Sequence, residues 1–144
     1  MAYSFQANKV GGGICADDEY WKALERGEFK MPQCADCRTW IWPAHFRCAE
    51  CGSWTMDWVD VEPVGTVFSW VRTWYPFEWL KERQDDLPFV TILAELPQAG
   101  GARVLGVLKG SEEGLRIGAR VRGEIDPPSD KSKGYAAIRW VLDA

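Results

Sequence analysis

Cys34-Ala-Asp-Cys37, ten residues, then Cys48-Ala-Glu-Cys51-Gly52: the stretch CADCRTWIWPAHFRCAECG, residues 34–52, decides the fold of this chain. Two Cys-x-x-Cys knuckles let four thiolates converge on a tetrahedral site with sulfur about 2.3 Å from the metal. Every ligand position is then protein sulfur, so the centre is closed to water and structural. The gap is shorter than the roughly 15 to 20 residues of the general zinc-ribbon spacing, yet it still allows a strand, a turn and a return. Thr39-Trp-Ile-Trp-Pro43 is expected to supply that strand. Because an unfolded chain has no preformed site, metal binding contributes folding free energy of order 10 kcal/mol.

Zinc is the expected ion, Zn2+ in a structural role. Iron competes for it, because tetrahedral sulfur also suits a rubredoxin-type iron site. His45 lies between the knuckles and is expected to face solvent rather than to ligate. Five cysteines make an odd number, and Cys15, the one outside the pairs, reads as a free thiol near the terminus. Paired thiols of this kind fit a metal in a reducing compartment better than a disulfide framework.

Working outward, 144 residues suffice for a small metal module attached to a slightly larger domain. Nine Trp among nineteen aromatic residues exceed what a core of this size needs, so some rings are expected to face a partner. The net charge of −4 is uneven: residues 1–97 hold 9 basic and 15 acidic groups, and residues 98–144 hold 8 and 6. Neither part has the dense positive field that neutralising many phosphates demands, which argues against nucleic acid. No window reaches the roughly 18 uninterrupted apolar residues of a membrane span. Residues 1–13 lack the basic-then-apolar pattern of a secretory signal, so the chain reads as cytoplasmic, with no membrane partner.

Gly11, Gly12 and Gly13 close a permissive N-terminal tail. From Asp17 a short helix is expected: Asp17 caps, Asp18 and Glu19 suit the helix dipole, Tyr20, Trp21 and Leu24 share a face, and Gly27 stops it. A helix that short must dock its aromatic stripe on the same chain. Beyond Trp58, five segments rich in β-branched and aromatic residues follow: Val64 to Trp74, Pro88 to Leu96, Arg103 to Lys109, Ala119 to Ile125 and Tyr135 to Leu142. Five short strands suit a small closed barrel, most commonly the oligonucleotide/oligosaccharide-binding (OB) barrel.

The expected organisation is therefore mainly β: tail and short helix over 1–30, a four-cysteine, rubredoxin-like zinc ribbon over 31–57, and a five-stranded OB-fold barrel over 58–144. The longest connection, WYPFEWLKERQDDL at 74–87, carries Trp74, Tyr75, Phe77 and Trp79, which read as partner-binding rings. Its carboxylates Glu78, Glu82, Asp85 and Asp86 read as a solvated face.

A catalytic set is missing from the sequence, which has one histidine, no G-x-S-x-G elbow and no glycine-rich phosphate loop. No catalytic residue is assigned. A single-stranded nucleic-acid module is the competing class, since barrels and ribbons bind strands through stacked rings and a cationic groove. Arg103, Arg116, Arg120, Arg122 and Arg139 are the cations such a groove would need. A third reading gives the barrel a direct coenzyme A contact, with arginines of this group, Arg103, Arg120 and Arg122 foremost, meeting the phosphates.

The order of parts, DDEYWKALERGEF, then the two knuckles, then five strands, resembles the DUF35 family of rubredoxin-like zinc ribbon plus OB-fold proteins. Trp42-Pro43 after the first knuckle, Pro63-Val-Gly-Thr-Val67 and Leu115-Arg-Ile-Gly-Ala-Arg-Val121 add to it, and the likeness covers about residues 17–142. The resemblance implies a non-catalytic accessory subunit in a hetero-oligomer, a heterotetramer, with a thiolase-like catalytic subunit, a thiolase or an aldolase that acts on an acyl-CoA thioester. Steroid and aromatic-compound degradation are the settings it implies, and a hot-dog-fold enoyl-CoA hydratase is an alternative partner. It also carries the four metal ligands onto Cys34, Cys37, Cys48 and Cys51.

Overall fold

The computed structural model describes residues 16–143, with every side chain among them except that of Trp79; Cys15 lies outside this range. The chain divides into two compact units, Met1–Val61 and Glu62–Ala144.

The first unit opens with helix α1, Asp18–Glu25. Asp17 holds the N-cap position, but its carboxylate accepts the Trp21 indole N–H at 3.0 Å instead of a backbone amide of the first turn. Gly27, at φ +76°, reverses the chain just past the last turn, as a left-handed position favours. Tyr20, Ala23 and Leu24 form the buried face. The Tyr20 ring sits 4.8 Å from that of Trp42 and 6.0 Å from that of Phe29, so the aromatic stripe docks on its own chain.

Two antiparallel strands complete this unit: β1, Lys30–Cys34, and β2, Met56–Asp60, in register from Lys30 opposite Asp60 to Cys34 opposite Met56. Trp58 therefore pairs with Pro32 inside the ribbon rather than opening the barrel. The strand expected at Thr39–Pro43 is reduced to one bridge, Gln33 to Trp40, flanked by the bonds from Cys34 N to Thr39 O and from Ile41 N to Pro32 O. Its ends explain this. Arg38 turns the backbone into the knuckle at φ +64°, and Pro43 has no N–H with which to extend a ladder.

The second unit is the five-stranded barrel. Its strands are β3 (Val64–Thr73), β4 (Phe89–Leu96), β5 (Ala102–Leu108), β6 (Arg120–Asp126) and β7 (Ala137–Leu142). They close in the order β3-β4-β5-β7-β6, each within two residues of its sequence-based limits at either end. All pairings are antiparallel except β5 with β7, where Val107 faces Arg139 and Leu108 faces Trp140. Closure leaves no open sheet edge. A bulge at Phe68 interrupts the β3–β4 register.

Strict alternation along β4 sends Val90, Ile92, Ala94 and Leu96 inward, where they join Val67, Val104, Val121 and Ile138 in the core. Trp140 is the largest buried side chain, with no exposed surface, and its indole N–H donates to Val104 O at 3.2 Å. That indole lies against the backbone of Gly106, where a β-carbon would fall 2.7 Å from Trp140 Cδ1 and 2.8 Å from Ile138 O. Glycine is thus required there by contact, not by backbone angle.

The long connection after β3 winds through 3-10 turns over Glu78–Asp86, broken at Leu80. Two of its acids are not solvated alone: Lys131 pairs with Asp86, and Lys133 with Glu82 at 2.7 Å. Both lysines lie in or beside the short 3-10 turn Asp130–Ser132, which carries a Ser129–Ser132 capping box. The β3–β4 and β6–β7 connections are in this way clasped together.

Gly106→Ala is expected to lower stability by about 1–3 kcal/mol, the usual cost of overpacking. Denaturant unfolding followed by tryptophan fluorescence would read it, and a wild-type midpoint would refute the contact.

Candidate metal centre

The two knuckles are copies of one local structure. In the first, Arg38 N donates to Cys34 O at 3.0 Å and Cys34 N to Thr39 O at 2.8 Å; in the second, Gly52 N donates to Cys48 O at 2.9 Å and Cys48 N to Ser53 O at 2.8 Å. The residue after each second cysteine is left-handed, Arg38 at φ +64° and Gly52 at φ +78°. Glycine adopts this conformation freely, whereas a side chain there costs roughly 1–2 kcal/mol. Arg38 is held in it by its own contacts: its carbonyl accepts from Gln33 Nε2 at 2.8 Å, and its guanidinium meets Asp57 at 2.8 Å.

These twin turns bring Cys34, Cys37, Cys48 and Cys51 together, with all four Sγ atoms within 4.8 Å of one another. Cys34 lies 3.5 Å from Cys51, and Cys37 lies 3.6 Å from Cys48. A tetrahedron with metal–sulfur bonds of about 2.3 Å has edges of about 3.8 Å, so the four sulfurs already sit nearly where a zinc ion would hold them. Cys34 and Cys48 are buried, whereas Cys37 and Cys51 are exposed. Among the described residues no other His, Asp or Glu joins the cluster, and His45 faces solvent.

Electrostatics point the same way. The Thr39 hydroxyl, 3.2 Å from Cys37 Sγ, and the Thr39 backbone N–H hold that thiol down to about 6. Cys34 is lowered chiefly by the backbone N–H of Cys37. At Cys51 the Ser53 N–H acts downward, but the three neighbouring sulfurs and burial together push the thiol up to about 12. Four thiolates this close repel one another, and a divalent cation in their midst removes the conflict.

Two family models match adjoining stretches of the chain. The ChsH2 rubredoxin-like zinc ribbon domain spans residues 21–57, and the ChsH2 C-terminal OB-fold domain spans residues 58–126. The chain belongs to the DUF35 family. The four cysteines are accordingly the structural zinc site of a DUF35 ribbon. Among solved structures, a protein described as "Ltp2-ChsH2(DUF35) aldolase" shares the fold with a TM-score of 0.74 and 23% identity, over 88% of this chain and 93% of that one. A DUF35-family protein of unknown function from Sulfolobus solfataricus does so with a TM-score of 0.59 and 18% identity, over 96% and 91%. No curated protein matches the chain.

Of the other residues singled out, Trp74, Tyr75 and Phe77 stand 70%, 67% and 62% exposed just past β3, with the Tyr75 and Phe77 rings edge to face at 5.3 Å. The five arginines do not share one groove, although Arg116 and Arg120 line one cleft with Lys109. Arg103 on β5 pairs with Glu95 at 2.9 Å and lies 3.5 Å over the Phe68 ring. Arg120 and Arg122 share one face of β6, each 3.8 Å from Asp143. Arg139 turns to the Val107 and Leu108 carbonyls, and Arg116 lies in the β5–β6 connection near the Gly114 carbonyl. Thr39 and Ser53 are the functional residues that the sequence reading passes over. Their signal is the repeat Cys-Ala-acid-Cys-x-hydroxyl, CADCRT and CAECGS.

Zinc uptake by the metal-free chain near neutral pH is expected to release protons, Cys51 foremost, and affinity should fall as pH is lowered. Calorimetry in buffers of different ionisation enthalpy would measure the release. Uptake without any proton change would contradict this charge state.

Proposed function

We propose that this chain is a non-catalytic, zinc-binding accessory subunit of a cytoplasmic acyl-CoA-processing complex. Its partner is a thiolase-like catalytic subunit, a thiolase or a retro-aldolase that makes or breaks a carbon–carbon bond of an acyl-CoA thioester, in a heterotetramer. One observation carries the reading: the ribbon-plus-barrel build is shared, over nearly the full length of both chains, with a protein described as an Ltp2-ChsH2(DUF35) aldolase.

Two features of the site support it. A four-sulfur centre has no open ligand position, so the zinc serves folding rather than chemistry. The rings of Trp74, Tyr75 and Phe77 form an exposed aromatic group of the kind that occupies interface centres, and with Trp79 they make up the proposed partner-binding loop. Arg120 and Arg122, together with Arg103, are the proposed contacts to the coenzyme A phosphates.

The purified chain alone should show no thiolase or aldolase activity, which should appear on co-expression with a thiolase-like subunit; turnover by the single chain would overturn the proposal. Within such a complex, Arg120→Ala and Arg122→Ala should raise KM for the acyl-CoA severalfold at unchanged complex stability. An unchanged KM would remove the coenzyme A contact.

A further inference from the structure

The second knuckle carries more than the metal needs. Trp54 is 70% exposed and Phe46 51% exposed, and the two flank the turn that holds Cys48 and Cys51. The Arg47 guanidinium lies 5.4 Å over the Trp54 ring, and its Nε donates to Gly52 O at 2.9 Å. An exposed indole is thus topped by a cation that is itself tied to the knuckle backbone.

Arg47 also differs from the other arginines of its unit in charge pairing. In the same unit Arg26 pairs with Glu19 and Glu28, Lys30 with Asp60, and Arg38 with Asp57. Among the described residues no carboxylate lies within ion-pair distance of Arg47, although residues 1–61 hold nine acidic groups against six basic ones, net −3. An arginine with no ion pair among the described residues, set over an exposed tryptophan in a net-negative unit, is complementary to a surface that offers an apolar cup and one carboxylate. Trp and Arg are the side chains most often found to dominate interface energetics, and an arginine already fixed by stacking loses little freedom on docking.

We propose that Arg47, Trp54 and Phe46 form a docking knob for a protein partner whose matching surface is an apolar pocket with an acidic rim. The inference rests on the accessory-subunit reading and takes that partner to be the catalytic subunit. Nucleic acid fits the same residues poorly, because a single arginine on the knob, in a unit of net charge −3, neutralises one phosphate at most. The knob also depends on the metal: Gly52 N donates and Ser53 O accepts the bonds that close the second knuckle, and Trp54 follows them directly. Zinc thereby supports docking without touching the partner.

The test measures affinity for the thiolase-like subunit recovered in the co-expression experiment, with wild type, Trp54→Ala and Arg47→Glu, and zinc content determined for each. Both substitutions should weaken association about thirtyfold, the effect of losing one interface anchor, while each chain keeps one zinc. Wild-type affinity in the two zinc-loaded variants would overturn the docking knob and leave the accessory role standing. Absence of any complex with the wild-type chain would overturn the accessory role and the knob together. A salt-sensitive gel shift of single-stranded DNA that Arg47→Glu abolishes would replace the protein partner with a nucleic acid. If Trp54→Ala loses its zinc, the comparison rests on Arg47→Glu and Phe46→Ser, whose exposed side chains lie outside the sulfur cluster.

Discussion

Four sulfurs drawn to one centre are the constraint on which the first unit depends. The apolar core around them is minimal: Cys34, Ile41 and Cys48 are buried together with Met56 packed against them, and two of those four residues are ligands. So small a cluster offsets little of the entropy of ordering the two knuckles, so metal–thiolate bonds take over there, beside the helix-side core of Tyr20, Leu24 and Phe29. The twin turns, each with a left-handed residue after its second cysteine, are the backbone's answer to that demand. One turn uses glycine. The other holds an arginine in the same conformation through Gln33 and Asp57.

The barrel rests on different physics. It closes through the parallel β5–β7 pairing, and Trp140 fills its interior so tightly that the neighbouring strand must present a glycine. Since closure satisfies the strands among themselves, the connections at the rim are free to carry aromatic surface. The cations beside the exposed rings of β3 are engaged: Arg72 lies over Trp70 and pairs with Glu112, and Arg103 lies over Phe68 and pairs with Glu95. Rings beside neutralised cations favour a dry protein surface over a phosphate backbone. Arg47 on the ribbon differs because, among the described residues, no carboxylate pairs with it.

Much of the architecture was legible from spacing. Cys-x-x-Cys geometry is local, and so are the period-two alternation of β4 and the Asp17-to-Gly27 helix signal; each is written within a dozen residues. One error was local as well. Thr39–Pro43 has strand composition but no room for a ladder between a left-handed turn and a proline. Met56–Asp60 is a strand that the composition does not announce; it pairs with Lys30–Cys34, a long-range partner that no local pattern names.

The ligand set, the number of barrel strands and the family are legible in the chain alone, because each depends on side-chain type at short, fixed spacing. Which cysteines are buried, which arginines are already paired and which tryptophans face outward emerge from the assembled fold. Those properties arise from contacts between residues far apart in the chain, such as Lys133 with Glu82 or Trp140 with Val104. No local pattern encodes them, since they come into being when the barrel closes and the thiolates meet.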